Sequence, residues 1–163
     1  ESRNFCIEKA SGEYLAFLDA DDYWLPGKLH AQWSYIRQHS DCQLIFTRYH
    51  NFIDGEELEK NRRALYEMEL EKLFKRYLPS ALINKEVFNK VGYFLEELLV
   101  GEDTEMVSRI EFSGIDTSHC LEEIYYHRRL HGTNSILTHP DSHKDLKKII
   151  HRNFLKFKLQ AKQ

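Results

Sequence analysis

Residues 14–22 read Tyr14-Leu15-Ala16-Phe17-Leu18-Asp19-Ala20-Asp21-Asp22, five apolar positions followed directly by three carboxylates. Such an apolar run, closed by acidic residues, predicts a strand buried on both faces, in the middle of a parallel sheet and not at its edge. Ligands of open α/β sheets bind where such strands end, and carboxylates this close raise one another's pKa unless a cation compensates. The stretch therefore predicts an α/β fold, and Asp19 and Asp21 suit Mn²⁺ or Mg²⁺. For an Asp-x-Asp taken alone, the stronger expectation is that the carboxylates are solvated and that Asp22, near the start of the next helix, caps it.

The rest of the chain is predicted to contain both helices and strands. Residues 2–11 form a predicted helix with Gly12 at its C-cap, and Pro26 starts a second helix that runs to about residue 39. In the second helix Leu29, Trp33 and Ile36 recur at the spacing of one helix face. Further helices are predicted at 68–77, at 85–91 with Gly92 at its end, at 102–112, and after Pro140. The 102–112 helix has apolar Met106, Val107 and Ile110. Strands are predicted at 43–53, 80–84 and 123–130, and loops at 55–63 and 132–135. Few of these strands are as apolar as 14–18, so either antiparallel strands flank it or part of the sheet lies outside this chain.

Composition narrows the class of protein. The 163 residues, 42% hydrophobic and 30% charged, suit one soluble domain, and a net charge of -3 argues against general nucleic-acid binding. No apolar run has the roughly 20 residues of a membrane-spanning helix, and no signal peptide is visible. Three scattered cysteines indicate reduced thiols in a cytosolic protein. Residues 144–163 carry seven Lys or Arg and one Asp, so we expect either a solvated basic helix or one lying on an anionic membrane with Phe154 and Phe157 inserted.

Several segments together resemble one enzyme family. The N-terminal segments closely resemble the inverting glycosyltransferases of family 2, which have the GT-A fold. The segments that carry this resemblance are Ser2-Arg3-Asn4, residues 10–22, Trp24-Leu25-Pro26 and Lys28-Leu29, although Ser2 stands where the family has Ala. Residues 79–83, 91–94, 101–109 and 126–135 are similar to its later motifs, in the same order. The resemblance covers about residues 2–136 and implies a partial GT-A (Rossmann-like) fold, a mixed sheet flanked by helices. We expect residues 1–139 to form this truncated catalytic core and residues 140–163 a basic C-terminal helix.

The resemblance implies roles for residues on the donor side. In the Asp-x-Asp motif, Asp21 would ligate the divalent metal ion directly, and Asp19 would face the ribose or the water shell of the metal. The ion would neutralise charge on the leaving diphosphate. His131 would add a metal or phosphate contact, with an ordinary loop histidine as the alternative. Arg128 would clamp phosphate, and Arg3 would contact phosphate or hold the end of the strand.

On the acceptor side, the resemblance makes Asp103 the candidate general base, with Glu102 raising its pKa by like-charge repulsion. The alternative is that both are acidic residues of a helix first turn, which the macrodipole favours. Trp24 would stack on a sugar or base, but packing of Trp24 and Tyr23 against the following helix is the stronger expectation.

The implied partners are a nucleotide-diphosphate sugar and a glycan or lipid-linked acceptor, with no nucleic acid. We expect a hexosyltransferase of cell-surface polysaccharide or lipopolysaccharide assembly, cytoplasmic or peripheral at the inner face of the membrane. The family's N-terminal nucleotide-binding segments are not recognisable, so the chain alone should be inactive, and an exposed sheet edge would favour a homodimer. Two other classes stay open: a non-catalytic module that binds glycan or a partner, and a metal-dependent phosphohydrolase.

Overall fold

A computed structural model describes residues 2–53, 76–98, 100–130 and 147–155. The helices are α1 (Ser2–Lys9), α2 (Lys28–Gln38), α3 (Glu86–Val91) and α4 (Glu102–Phe112), with a 3-10 turn at Leu78–Ser80. The strands are β1 (Tyr14–Leu15), β2 (Tyr23–Trp24), β3 (Leu44–Ile53), β4 (Leu82–Asn84) and β5 (Cys120–Leu130). Residues 147–155 are helical, as predicted for the tail, whereas the predicted elements at 55–63, 68–75, 132–135 and 140–146 lie outside the described residues.

The five strands form one mixed sheet in the order β1-β4-β3-β5-β2. The long pair β3 and β5 is parallel, and the other three pairs are antiparallel. Alternate residues of β3 face opposite sides: Leu44 and Phe46 join a core with α1, α3 and α4, while Ile45 packs toward Ile36 of α2. Helices therefore cover both faces, which confirms the predicted α/β class with a mixed sheet.

In the described part of the chain, the strand of the apolar run at 14–18 lies at the edge of the sheet and pairs antiparallel, unlike its predicted place in the middle of a parallel sheet. β1 has two residues, Tyr14 and Leu15, and it pairs antiparallel with β4. Its other side has no partner strand among the described residues, and Leu18 is 48% exposed. The run of apolar residues indicated a tendency to be buried, but the number of strands that pair with it depends on segments elsewhere in the chain.

Helix α2 buries a different face from the one that its apolar residues predict. Leu29 and Trp33 are 44% and 43% exposed, whereas Lys28 and Gln32 are buried together with Ile36. The Gln32 amide donates to two backbone carbonyls, one on β3 and one in the 3-10 turn, and Lys28 donates to the Gln32 side-chain oxygen. These bonds satisfy the buried polar atoms of the Gln32 and Lys28 side chains, so a polar pair takes the inner face.

Two glycines that we expected to end helices behave differently. Gly92 follows α3 with φ of 85°, a conformation that favours glycine, as predicted for a C-cap. Gly12 is not a C-cap, because α1 ends at Lys9 and Gly12 does not have a positive φ. Two strands also differ from the prediction. β5 begins at Cys120, three residues before the predicted start, and β2 was not predicted.

Candidate active site

An arginine joins three of the predicted site residues. One terminal nitrogen of Arg3 lies 2.5 Å from an Asp103 carboxylate oxygen and 3.3 Å from Glu102, and the other lies 2.7 Å from Asp19. Arg3 is in the first turn of α1, Asp19 follows β1, and the acidic pair opens α4. The fold therefore brings together the Asp-x-Asp and Glu-Asp motifs, which are more than 80 residues apart in the sequence.

The electrostatics of this cluster are dominated by excess negative charge. Burial raises the pKa of Asp103 to about 7, Arg3 opposes the rise, and the neighbouring Glu102 and Asp19 add to it. Burial would lower the pKa of Arg3, but the attraction of Asp103 and Asp19 outweighs it, so the pKa of Arg3 is raised. Three carboxylates around one guanidinium leave net negative charge, and a proton on the most enclosed carboxylate relieves it.

Asp22 connects the acidic loop to β5 and does not cap α2. One of its oxygens accepts a 2.6 Å hydrogen bond from the Tyr126 hydroxyl, and the other accepts a 2.7 Å bond from the Arg129 backbone N–H. The N-cap of α2 is Gly27, which has no side-chain capping bond, so the expected capping role of Asp22 is wrong. Burial raises the pKa of Asp22, although these two hydrogen bonds act in the opposite direction.

Two tyrosines of the site were not predicted. The Tyr77 hydroxyl lies 3.4 Å from Asp19 and 3.5 Å from Asp22, and its ring meets the Tyr126 ring edge-on at 5.4 Å. Burial raises the pKa of both tyrosines, so both are neutral donors near neutral pH. Tyr126 lies in the Tyr126-His127-Arg128 segment of the resemblance, a signal that could have found it. Tyr77 falls at the end of a predicted helix and carried no such signal.

The remaining predicted residues are placed as follows. Asp21 is half-buried in the loop between Asp19 and Asp22. The Arg128 guanidinium lies over the Tyr77 ring, 5.2 Å from its centre. His131 lies outside the described residues.

Trp24 packs against the following helix, as the stronger expectation had it. The Lys28 ammonium of α2 lies 4.5 Å from the centre of its ring and occupies one face of the indole. Among the described residues, no hydrogen-bond partner reaches the buried Trp24 ring nitrogen. Tyr23 points elsewhere: it is 42% exposed and bonds His127 on β5 at 2.9 Å.

The donor atoms of the acidic loop are of the type that a hard divalent cation prefers. Asp19 and Asp21 offer carboxylate oxygens, and the bond from Arg3 uses one oxygen of Asp19. In the described part of the chain, no group of three or more His, Cys, Asp or Glu is arranged to hold an ion. The described residues therefore offer Asp19 and Asp21 as candidate carboxylate ligands.

Comparison with known proteins identifies the family. The profile of Glycosyl transferase family 2 matches residues 1–95, more than half of the 163 residues. The chain belongs to glycosyl transferase family 2. An uncharacterized glycosyltransferase of Methanocaldococcus jannaschii is 35% identical over 109 residues, which are 63% of this chain and 37% of that protein. A putative teichuronic acid biosynthesis glycosyltransferase of Bacillus subtilis, TuaG, is 42% identical over 60 residues, 36% of this chain and 23% of that protein.

Solved structures show the same fold for this family 2 chain. S. aureus TarS 1–349 in complex with UDP-GlcNAc superposes with a TM-score of 0.68 at 16% identity, over 93% of this chain and 45% of TarS. The complex of TarS with UDP superposes with a TM-score of 0.64 over 43% of that chain. The family 2 chain thus has a GT-A-like fold and spans less than half the length of the relatives that it matches.

Proposed function

We propose that the protein containing this chain transfers a hexose from a nucleotide-diphosphate sugar to a hydroxyl acceptor, with inversion, in cell-surface polysaccharide or lipopolysaccharide assembly. The observation that carries the proposal is the contact of Arg3 with Asp19 and with Asp103, which joins the donor-side and acceptor-side motifs in one cluster. Two similar proteins support the donor class. The Escherichia coli relative WfaP, 35% identical over 51 residues, is named a UDP-Glc-dependent glucosyltransferase, and TarS is solved with UDP-GlcNAc.

The residues have the following proposed roles. Asp21 and Asp19 would hold Mn²⁺ or Mg²⁺, which supplies charge neutralisation for the departing diphosphate. Arg128, and His131 beyond the described part, would contact phosphate. Asp103 would take the proton of the acceptor hydroxyl as that oxygen attacks the anomeric carbon from the face opposite the diphosphate. Because burial raises the pKa of Asp103 to about 7, the carboxylate is a stronger base than an ordinary aspartate and is still partly ionised at neutral pH.

The tail supports an acceptor at a membrane surface. In the 147–155 helix Asn153 is buried and bonds Glu105 of α4, while the cationic residues of the helix are exposed. Phe154 packs edge-on against Phe112 at 5.3 Å, although 41% of it stays exposed, and Phe157 lies outside the described residues. We propose a core of residues 1–139 with a basic helix, 140–163, that contacts anionic lipid from the cytoplasmic side.

Two structural features bear on this location and on assembly. Among the described residues, no helix combines the length and the apolar character needed to cross a membrane. The outer edge of β1 has no partner strand in the described part of the chain, and we propose that a homodimer forms there.

Calorimetric titration of the full-length protein with UDP, with and without Mn²⁺, tests the metal site. We expect UDP binding to require Mn²⁺ and to be lost in Asp21→Ala, because the carboxylate that ligates the ion is gone. Asp41→Ala, which removes an exposed carboxylate, is the matched control and should bind UDP normally. Unchanged binding by Asp21→Ala would remove Asp21 as a ligand. Binding of neither UDP nor Mn²⁺ by the unaltered protein would favour a non-catalytic module, and release of inorganic phosphate from the donor would favour a phosphohydrolase.

Transfer assays with Asp103→Asn test the base. The amide keeps the shape of the side chain but cannot accept the proton, so transfer should fall by about two to four orders of magnitude while donor binding survives. Transfer at the normal rate would exclude Asp103 as the base.

A further inference from the structure

We propose that Arg3 is a positioning residue: its guanidinium bridges Asp103 and Asp19 and holds these two carboxylates, which come from separate segments, in a fixed relative geometry. The catalytic part of this inference rests on the proposed function of Asp103, whereas the structural coupling of Arg3 to Asp103 does not. Arg3 was expected either to contact phosphate or to hold the end of the strand, and its side-chain bonds in the described structure are with the carboxylates of Asp19, Glu102 and Asp103.

The geometry of the guanidinium suits this role. One terminal nitrogen bonds Asp103 at 2.5 Å, and the other bonds Asp19 at 2.7 Å, so a single planar group connects carboxylates from two separate segments. The spacing of the two nitrogens fixes the spacing of the two carboxylates. A lysine ammonium carries the same charge at a single point and cannot reproduce this fork.

Packing contacts within the chain hold Arg3 in place. The neighbouring Asn4 bonds the backbone of Phe94 twice, accepting from its N–H at 2.9 Å and donating to its carbonyl at 3.0 Å. These bonds hold the start of α1 against the segment that follows α3. The guanidinium lies 5.5 Å from the centre of the Phe94 ring and 6.0 Å from that of Phe17, and only 23% of the Arg3 side chain is exposed. Arg3 is therefore held by its surroundings and is not a mobile surface side chain.

The charged groups around Asp103 explain why its ionisation depends on Arg3. Glu102 on the same helix and Asp19 from the acidic loop are both negative. The Tyr77 hydroxyl also interacts electrostatically with Asp103. Burial and the two carboxylates favour the protonated form of Asp103, and Arg3 opposes them. Without the Arg3 charge, Asp103 would hold its proton to a higher pH and would be lost as a base near neutrality.

The pH dependence of transfer separates this role from phosphate binding. In Arg3→Gln of the full-length protein, the acidic limb of the kcat profile should move up by about one pH unit, with a roughly fivefold lower kcat at pH 7. Arg3→Lys keeps the positive charge, so the acidic limb of its kcat profile should lie at the same pH as in the unaltered protein. The plateau value of kcat should still be several-fold below that of the unaltered protein. The control Arg48→Gln removes an exposed arginine that pairs with Glu122 and should behave as the unaltered protein. A higher KM for the donor with an unmoved limb would overturn the proposal and leave Arg3 as a phosphate contact.

A second measurement does not need activity. The difference in unfolding free energy between the unaltered protein and Asp103→Asn, measured against pH, isolates the titration of Asp103. The pH at which this difference changes should be higher when both proteins also carry Arg3→Gln. A change at the same pH with and without Arg3→Gln would overturn the proposal. If Asp103→Asn transfers sugar normally, the proposed base is wrong, and this unfolding experiment still decides whether Arg3 controls Asp103.

Discussion

Replacing Asp103 by Asn should stabilise the chain above neutral pH. The pKa of Asp103 is about 7 in the fold and about 3.9 in an unfolded chain, a difference of about 3 units or roughly 4 kcal/mol. Because the folded-state pKa is the higher one, this group favours folding most below about pH 4, and that contribution is lost as the pH rises through 7. Solvent still reaches 21% of the side chain, so we expect a net gain of about 1–2 kcal/mol for Asp103→Asn at pH 8.

Urea unfolding followed by circular dichroism at pH 5, 6, 7 and 8 measures this effect. The gain for Asp103→Asn over the unaltered chain should grow with pH and should be small or reversed at pH 5, where Asp103 is protonated and neutral. Asp41→Asn makes the same chemical change at an exposed position and should show no such trend. A difference between Asp103→Asn and the unaltered chain that stays constant from pH 5 to 8 would refute the raised pKa and the crowding of carboxylates around Arg3.

Three further substitutions test other parts of the structure. Lys28 is 2% exposed and burial lowers its pKa to about 7, so its contribution to stability improves as the pH rises from 7 toward the unfolded value of about 10.4. Lys28→Met should be more stable than the unaltered chain by about 1–3 kcal/mol at pH 6, and this difference should be smaller at pH 10. Urea unfolding measures the difference, and an equal difference at both pH values would contradict the lowered pKa of Lys28. Tyr126→Phe removes the donor to Asp22 and should cost about 1–2 kcal/mol, measured by the urea midpoint; an unchanged midpoint means that Asp22 is not held this way. Asn153→Ala removes the bond to buried Glu105 and should increase proteolytic cleavage of the tail; unchanged cleavage means that this bond does not anchor the tail.

Much of the candidate site was predictable because short segments carry it. Asp19 was expected after a strand, and Glu102 and Asp103 were expected at the start of a helix. In the structure all three carboxylates accept hydrogen bonds from Arg3. Their contact with Arg3 itself was not predictable, since nothing in the local pattern says which segments meet. Tyr77 was missed for the same reason, because its role comes only from its distance to the acidic loop.

The sequence by itself determined the secondary structure of the main elements and the family. The periodicity of Met106, Val107 and Ile110 predicted the buried face of α4, and the glycine after α3 marked its end, because helix period and backbone conformation are local properties. Only the tertiary structure decided that β1 lies at an edge and that α2 buries Lys28 and Gln32 in place of Leu29 and Trp33. The number of neighbouring strands and the partners of buried polar side chains are set by distant segments, and no local pattern of residues contains that information.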